Sequence, residues 1–469
     1  MNVSKVCEVT LLMTLSWLGT GFNRAHNVIR PLGWTEIAEI QQSNTVRPTL
    51  LQSDFVNPNC SGATPTGYTR IFVANRNDGR PGSGSPSDAF DGSTAEKFDT
   101  VLRSRSESGV TRLIVCIGPG TFYTEGTRDY VLGKGHLDTS HPAGFTVNAG
   151  WRIHGAAADR TTLRLADLFA DPSTGRYLNG IVIGTHDFDS SGVEVSDLTV
   201  DDNYPALKPR YQSHLQLVAV ILRSNRGHQW VHNIHVMNAS GEESEDFPVG
   251  ISSPMPNPDN QGNLVEYVTM DHWAGGRCTA IIIAGGEGEV RYNTVVGYQV
   301  GYGGWSMSNV KFHDNQAIET TYGFNIDSWQ NSGIVIVHNQ VIHAKSYGLV
   351  IGGNGDFSNF YIADNTLRVA STDDPTHPIY GLIFQGHVRG ARVVRNKIVA
   401  DRAANHSHVF GFFEKNSHNT SNVFQENILD GSFKNSLQGA DCLYGNVSES
   451  GKELPGLRNT QNTQCQAEQ

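Results

Sequence analysis

The chain has 469 residues, of which 50 are glycine and 17% are charged, with a formal net charge of −11. The length allows a large core or two to three ordinary domains, and a glycine-rich, charge-poor composition suits strands and turns better than helices. The acidic balance argues against non-specific nucleic-acid binding, which needs a basic face. An anionic substrate stays open, received by a local basic cleft or a bound cation.

At the N-terminus, MNVSKVCEVTLLMTLSWLGTGF carries one lysine, an apolar run from Val9 to Leu18 and the small-x-small triplet Gly19-Thr20-Gly21. That is the pattern of a secretory signal peptide over residues 1–21, and it predicts a secreted protein. Cys7 and Glu8 interrupt the entrance to the run, so a buried N-terminal segment is the other reading. No other stretch approaches the ~18 apolar residues of a membrane span, so no membrane partner is expected.

Residues 22–67 lack periodicity and read as an irregular N-terminal extension. From Tyr68, YTRIFVAN predicts a strand, followed by a loop dense in turn formers. STAEKFDTVLRSRSES then predicts the one clear helix. Ser93 and Glu96 have capping-box spacing, and Phe98, Val101 and Leu102 share one face. RLIVCIGPGTFY follows as a strand with a Gly-Pro-Gly turn. The order strand, helix, strand suggests a cap over an exposed sheet end.

From about residue 150 the segments are short strands bounded by Gly, Asn or Asp, and they repeat. Aligned phrases centre on Asp197, Asn233, Tyr267, Asn293, Asn315, Asn339, Asn365, Asn396 and Asn427, at spacings of 22 to 36 residues. A second series runs in phase: Val300-Gly301, Tyr322-Gly323, Tyr347-Gly348, Tyr380-Gly381 and Phe410-Gly411. The period fits one coil of a parallel β-helix, lacks the leucine-rich-repeat pattern and is too short for a propeller blade. Alternating apolar residues then point into the coil and stack on their equivalents about 4.8 Å away. Asparagines at one turn can hydrogen-bond from coil to coil, so they read as structural.

Together, FDGSTAEKFDTVL, IGPGTFYTEG, GWRIHGAAADRTTLRL and the Asn-centred coils resemble the pectate-lyase-like right-handed parallel β-helix superfamily over residues 68–430. The resemblance implies an all-β, single-stranded parallel β-helix with an N-terminal capping helix, residues 431–469 forming a C-terminal tail. It does not fix an activity, because the superfamily includes polysaccharide lyases, glycoside hydrolases, epimerases, esterases, phage tailspikes and adhesins. No catalytic signature such as NTDG…DD is present.

Stacked coils turn sequence phase into rows along the outside. One row holds Asp201, Met237, Asp271, Gly297, Glu319, His343, Ala370, Ala400 and Asp430, with Asp202 and His272 one position later. Asp271 and Glu319, two coils apart, would be about 9–10 Å from each other along the axis, near the carboxylate separation of inverting glycosidases. His343 would be one coil from Glu319, in reach for proton transfer. The bland alternative is acidic residues capping turns. A second row holds Arg223, Pro254, Ala284, Trp305, Asp327, Gly352, Gln385 and Lys415, with Asn325 on the same face. Trp305 and Trp329 beside Asp327 suit sugar stacking, or packing under a loop.

Insertions at 201–214, 238–250 and 252–263 break the period and place a walled cleft over the early coils. The expected catalytic residues are therefore Asp271, Glu319, His343 and Asp327, and the expected substrate-binding residues Trp305, Trp329, Arg223, Asn325 and His272. A lyase would need a base and a cation near a substrate carboxylate, for which His272, His343, Tyr298, Lys208, Arg210 and Arg223 are candidates. The acidic loop GEESED (241–246) is either solvated or a Ca²⁺ site, and no other cofactor or metal is expected.

Six scattered cysteines show no zinc spacing, and Cys442 with Cys465 is one conceivable staple of the tail. Asn59, Asn238, Asn405, Asn419 and Asn446 open glycosylation triplets. The reading is a secreted, monomeric carbohydrate-active enzyme that cleaves glycosidic bonds of a polysaccharide. Its alternatives are a non-catalytic carbohydrate-binding or adhesion protein, or an epimerase or small-molecule enzyme on the same scaffold.

Overall fold

The computed structural model describes residues 58–127, 144–167, 178–185, 188, 190–210, 215–239, 247–253, 257–270, 278–327, 330–353, 355–370, 377–401, 408–416, 418–437 and 440–452. The signal-like segment 1–21, most of the extension 22–67 and the GEESED loop lie outside these residues, as do Asp271, His272, Trp329 and Cys465.

One coil is built from three main strands. Tyr347–Gly352 belongs to sheet 1, Tyr361–Ala363 to sheet 2 and Thr366–Val369 to sheet 3, after which Ile379–Phe384 resumes sheet 1 one coil further along. Among the described residues, sheet 1 stacks ten strands, from Leu178–Gly184 to Lys434–Ser436. Neighbours pair in parallel, as in Tyr322↔Tyr347↔Tyr380, so the chain winds as a right-handed parallel β-helix. The coils continue past residue 430: Ala440–Tyr444 pairs with Asn422–Gln425, and Val447–Ser448 pairs with Ile428–Asp430. Part of the expected tail is therefore coil.

Side-chain alternation fills the interior. In Tyr322–Asp327, Phe324 and Ile326 are buried whereas Asn325 and Asp327 face outward. Phe324 stacks on Tyr302 of the previous coil at 5.0 Å and meets Phe312 edge-on at 6.0 Å. Each such ring contributes roughly 2–3 kcal/mol through removal of apolar surface from water.

The helix spans Ala95–Glu107 and sends Phe98 against Phe122 and Phe145, at 5.8 and 6.0 Å. Its N-cap is Thr94 rather than Ser93: the Thr94 Oγ1 accepts the Lys97 N–H at 3.3 Å.

The asparagine series is a hydrogen-bonded ladder. Nδ2 of Asn293, Asn315, Asn339, Asn365, Asn396 and Asn427 each donates to the Oδ1 one coil on, at 2.9 to 3.1 Å, ending at Asn446. Each also donates to a backbone carbonyl, for example Asn315 to Val290 O at 2.8 Å. The inward amides are thereby satisfied without water. Asn446 and Asn419 are 2% and 1% exposed, so in the folded chain their glycosylation triplets are out of reach.

Asp197, Asn233 and Tyr267 are not rungs of this ladder. The strand registers place Leu198, Ile234 and Val268 there, one position later. Asp197, Asn233 and Tyr267 instead share a left-handed corner with Tyr292, Asp314, His338, Asp364, Arg395 and Glu426, all at φ 50–58°. Asn and Asp tolerate that conformation, which is why the early phrases imitate the later ones.

Among the described cysteines, Cys60 and Cys116 form a disulfide and Cys278 is buried. Cys116 is in register with His154, so the bond ties the short helix Pro58–Ser61 to the outside of sheet 2. Among the described residues no helix is long and apolar enough to cross a membrane.

Candidate functional site

The outer row of sheet 1 is largely the one read from sequence phase. Register links Arg223 to Ser252, Ser252 to Ala284, Ala284 to Trp305, and Asp327 to Gly352. Pairing of Gly304 with Ile326 brings Trp305 alongside Asp327. Pairing of Ile351 with Phe384 brings Gln385 alongside Gly352. Ser252 takes the place expected for Pro254.

Around Asp327 this row forms a polar patch. Asn325 is two residues before it on the same face, flanked in register by Gly303 and Val350. Tyr322, Tyr347, Tyr380 and Phe410 stack down the same sheet, with ring centroids 4.7, 5.3 and 5.1 Å apart. Burial, aided by the nearby Asp327 charge, pushes the Tyr322 hydroxyl up to about 12. Burial likewise raises Tyr347, whose hydroxyl has Gln385 as a hydrogen-bond partner. Gly352 lets the Gln385 side chain pack close across the sheet: a Cβ there would come within 3.1 Å of the Gln385 Oε1. The patch can therefore present several neutral hydroxyl and amide groups and one carboxylate to a ligand.

Of the expected binding residues, Arg223 falls outside this patch and Trp305 borders it. Arg223 is buried, 3% exposed, with its backbone N–H bonded to Thr185 Oγ1 at 2.8 Å. Two strands of sheet 1 lie between its own and that of Trp305. Trp305 is half-buried: it meets Phe247 edge-on at 6.4 Å and packs on the apolar cluster of Ile181, Val218, Ile221 and Ile282. Part of its ring is thereby taken up by the apolar half of the sheet.

Glu319 and His343 occupy a different corner, where sheet 3 hands over to sheet 1. Both are left-handed, at φ 53° and 59°, in line with Gly297 at 79°. The Glu319 N–H donates to Ile342 O at 2.8 Å, which confirms their adjacency along the axis. The expected Glu319–His343 partnership is nevertheless replaced by another. His343 Nε2 sits 3.5 Å from Asp401 Oδ2, and Arg368 approaches the same carboxylate at 3.4 Å. A register shift between Val341 and Ala344 turns the chain locally at His343.

Asp327 lies at the far end of the sheet 1 strand from this corner. The five residue steps from Tyr322 to Asp327 alone span about 17 Å. Glu319 and His343 therefore do not share a water-sized gap with Asp327. Axial phase shows which residues line up, while the length of the strand between two rows keeps the rows apart.

Sheet 2 carries a charge network that the sequence reading missed. Glu194 Oε1 is 3.1 Å from His232 Nε2, and Glu266 accepts from Trp230 Nε1 at 3.1 Å and Arg291 Nε at 2.7 Å. His313 bridges Glu289 and Asp314, the latter at 2.7 Å. His154 Nδ1 meets Ser196 Oγ at 2.8 Å, and that hydroxyl donates to Asp197 Oδ2 at 2.7 Å. Burial lowers the buried His154 to about 4 and raises Asp197. Burial works to raise Glu194 too, but the His232 hydrogen bond and the neighbouring cations hold it below its ordinary range. These acids are taken up in pairs from coil to coil, which suits them to holding the sheet. The sequence signal was present as His232, Glu266, Arg291 and His313, one coil apart and each immediately before the left-handed corner.

Among the described residues no group of three or more His, Cys, Asp and Glu side chains could hold a metal ion.

No protein-family model matches the chain, and no curated protein sequence matches it. Among solved structures, it is similar to the DFA-IIIase of Arthrobacter chlorophenolicus, at 11% identity and TM-score 0.47, over 84% of this chain and 99% of that one. It is similar to a tailspike of the E. coli bacteriophage HK620, at 12% identity and TM-score 0.47, over 78% of this chain and 73% of that one. Endopolygalacturonase I of Stereum purpureum matches at 12% identity and TM-score 0.41, over 77% of this chain and 99% of that one. Chemistry must be read from this chain's own residues, but its coil register is unambiguous: the protein is a right-handed parallel β-helix.

Proposed function

We propose that this protein acts on a polysaccharide laid along the outer face of sheet 1, cleaving its glycosidic bonds, with Asp327 handling the proton at the scissile oxygen. One observation carries the reading. Across the five strands from Thr279–Ala284 to Ile379–Phe384, Asp327 is the sole charged residue, and Tyr322, Asn325, Tyr347 and Gln385 surround it with neutral hydrogen-bonding groups. A carboxylate in that setting can exchange a proton with a bridging oxygen while the amides and hydroxyls hold sugar hydroxyls in place. The Cys60–Cys116 disulfide supports an oxidising, exported setting, in keeping with the signal-like N-terminus.

The rival reading is non-catalytic binding at the same face. It is favoured by the distance separating Glu319 and His343 from Asp327, which leaves no second acid facing it on these strands. Incubation with a panel of neutral and uronic-acid polysaccharides separates the two readings. New reducing ends, lost in Asp327→Asn, support cleavage. Retained binding with no product from any polymer supports the binder and overturns the enzyme.

A further inference from the structure

Resting on the reading above, we infer that the sheet 1 face selects a neutral glycan and discriminates against uronic-acid chains. The formal charge on the five central strands is a single negative one, at Asp327, and those strands contain no lysine, arginine or histidine. A polyuronate would set a carboxylate beside Asp327, and like charges brought together at a partly desolvated surface repel. Nothing on those strands neutralises that second charge. Among the described residues, Lys345 stands at the corner two residues before Tyr347, and Lys415 follows the strand Val409–Glu414, one coil beyond Gln385, so these basic groups mark the margins.

The polar groups that remain are the kind that read hydroxyls. Burial keeps the Tyr322, Tyr347 and Tyr380 hydroxyls neutral into the alkaline range. The three rings stack face to face on one another, so their faces are used up internally and their edges and hydroxyls are what a ligand meets. Recognition therefore runs through hydrogen bonds, not ring stacking. The ring spacings of 4.7 and 5.3 Å repeat the tyrosine from coil to coil, so a chain laid along the axis meets a tyrosine at each coil, while Asp327, Gly352 and Gln385 set the coils apart. Such a site rejects a chain mainly by leaving a charge or a hydrogen bond unmatched.

The test is titration calorimetry of the full chain at low and high salt. The neutral probes are hexasaccharides of cellulose, xylan and inulin, and the anionic probes those of polygalacturonate and alginate. At least one neutral hexasaccharide is expected to bind ten-fold or more tighter than either uronate at low salt, with the gap narrowing in Asp327→Asn and in high salt. Loss of binding in Gln385→Ala, with an unchanged melting temperature, places the ligand on this face. Uronate binding as tight as neutral binding, and lost in Gln385→Ala, overturns the neutral preference but leaves the polysaccharide reading standing. Failure of all five probes to bind overturns both.

Discussion

Glu319 and Asp327 belong to the same coil yet sit at opposite ends of the strand Tyr322–Asp327, one at the corner from sheet 3 and the other where sheet 1 ends. A pair of acids spanning one glycosidic bond must lie within about 5–9.5 Å, and this pair cannot. Asp327→Asn is expected to lower the rate of reducing-end release by at least about 100-fold, the usual loss when a proton-transfer group is removed. Glu319→Gln is expected to cost less than about ten-fold in the same assay. A larger loss in the Glu319 variant than in the Asp327 variant would move the site to the other corner.

The asparagine ladder makes a stability prediction. Asn339 Oδ1 accepts from both the backbone N–H and the Nδ2 of Asn315, each at 3.0 Å, and its own Nδ2 donates to Asn365 at 3.0 Å. Asn339→Leu strands several buried groups and should cost about 3 kcal/mol or more, each orphaned group contributing roughly 1–3 kcal/mol. Asn446→Leu, at the last rung, leaves fewer partners stranded and should cost less in the same urea melts. Equal costs at both positions would argue against a cooperative ladder.

Two buried groups outside the sheet 1 patch predict opposing pH effects. Burial raises Asp99 from 3.8 to about 7, against hydrogen bonds from Thr124 at 2.5 Å and the Glu125 N–H at 2.8 Å. Its neutral form is the stable one when folded, so stability is lost as pH rises from about 4 to about 7. Burial lowers His154 from 6.5 to about 4, so its stability is lost as pH falls through that window. At about 1.4 kcal/mol per pH unit, each effect is on the order of 3–5 kcal/mol, and they oppose one another. Asp99→Asn should therefore gain stability relative to wild type as pH rises from 4 to 7. His154→Asn should lose stability over the same interval. Denaturation at pH 4.5 and 7 measures both, and identical pH slopes in the two variants would refute the assignment.

The Cys60–Cys116 bond closes a segment with a sequence separation of 56. In the chain-entropy picture, opening a loop of that length costs about 4 kcal/mol. Cys60→Ser, or wild type in reductant, should melt earlier by that margin, and an unchanged melting temperature would show that the bond constrains nothing.

Much of the architecture was legible before any coordinates. The recurring Asn with an in-phase Tyr-Gly has a local cause: one residue type satisfies the inward turn of every coil, and glycine allows the chain to bend beside it. The same logic misled at Asp197, Asn233 and Tyr267, because Asn and Asp also suit the left-handed corner one position earlier. A side-chain preference shared by two adjacent positions cannot say which of them is occupied.

What the sequence by itself determined about this protein is therefore periodic: coils, parallel stacking, and the alignment of Trp305, Asp327 and Gly352 along one row. Only the tertiary structure decided what those rows face. It buried Arg223, turned Trp305 onto Phe247, paired His343 with Asp401, and set Glu319 a strand's length from Asp327. The physical reason is that phase along a solenoid is a local property, repeated by every coil. Burial, ion pairing and the separation between rows depend on contacts across coils, which no single coil's sequence contains.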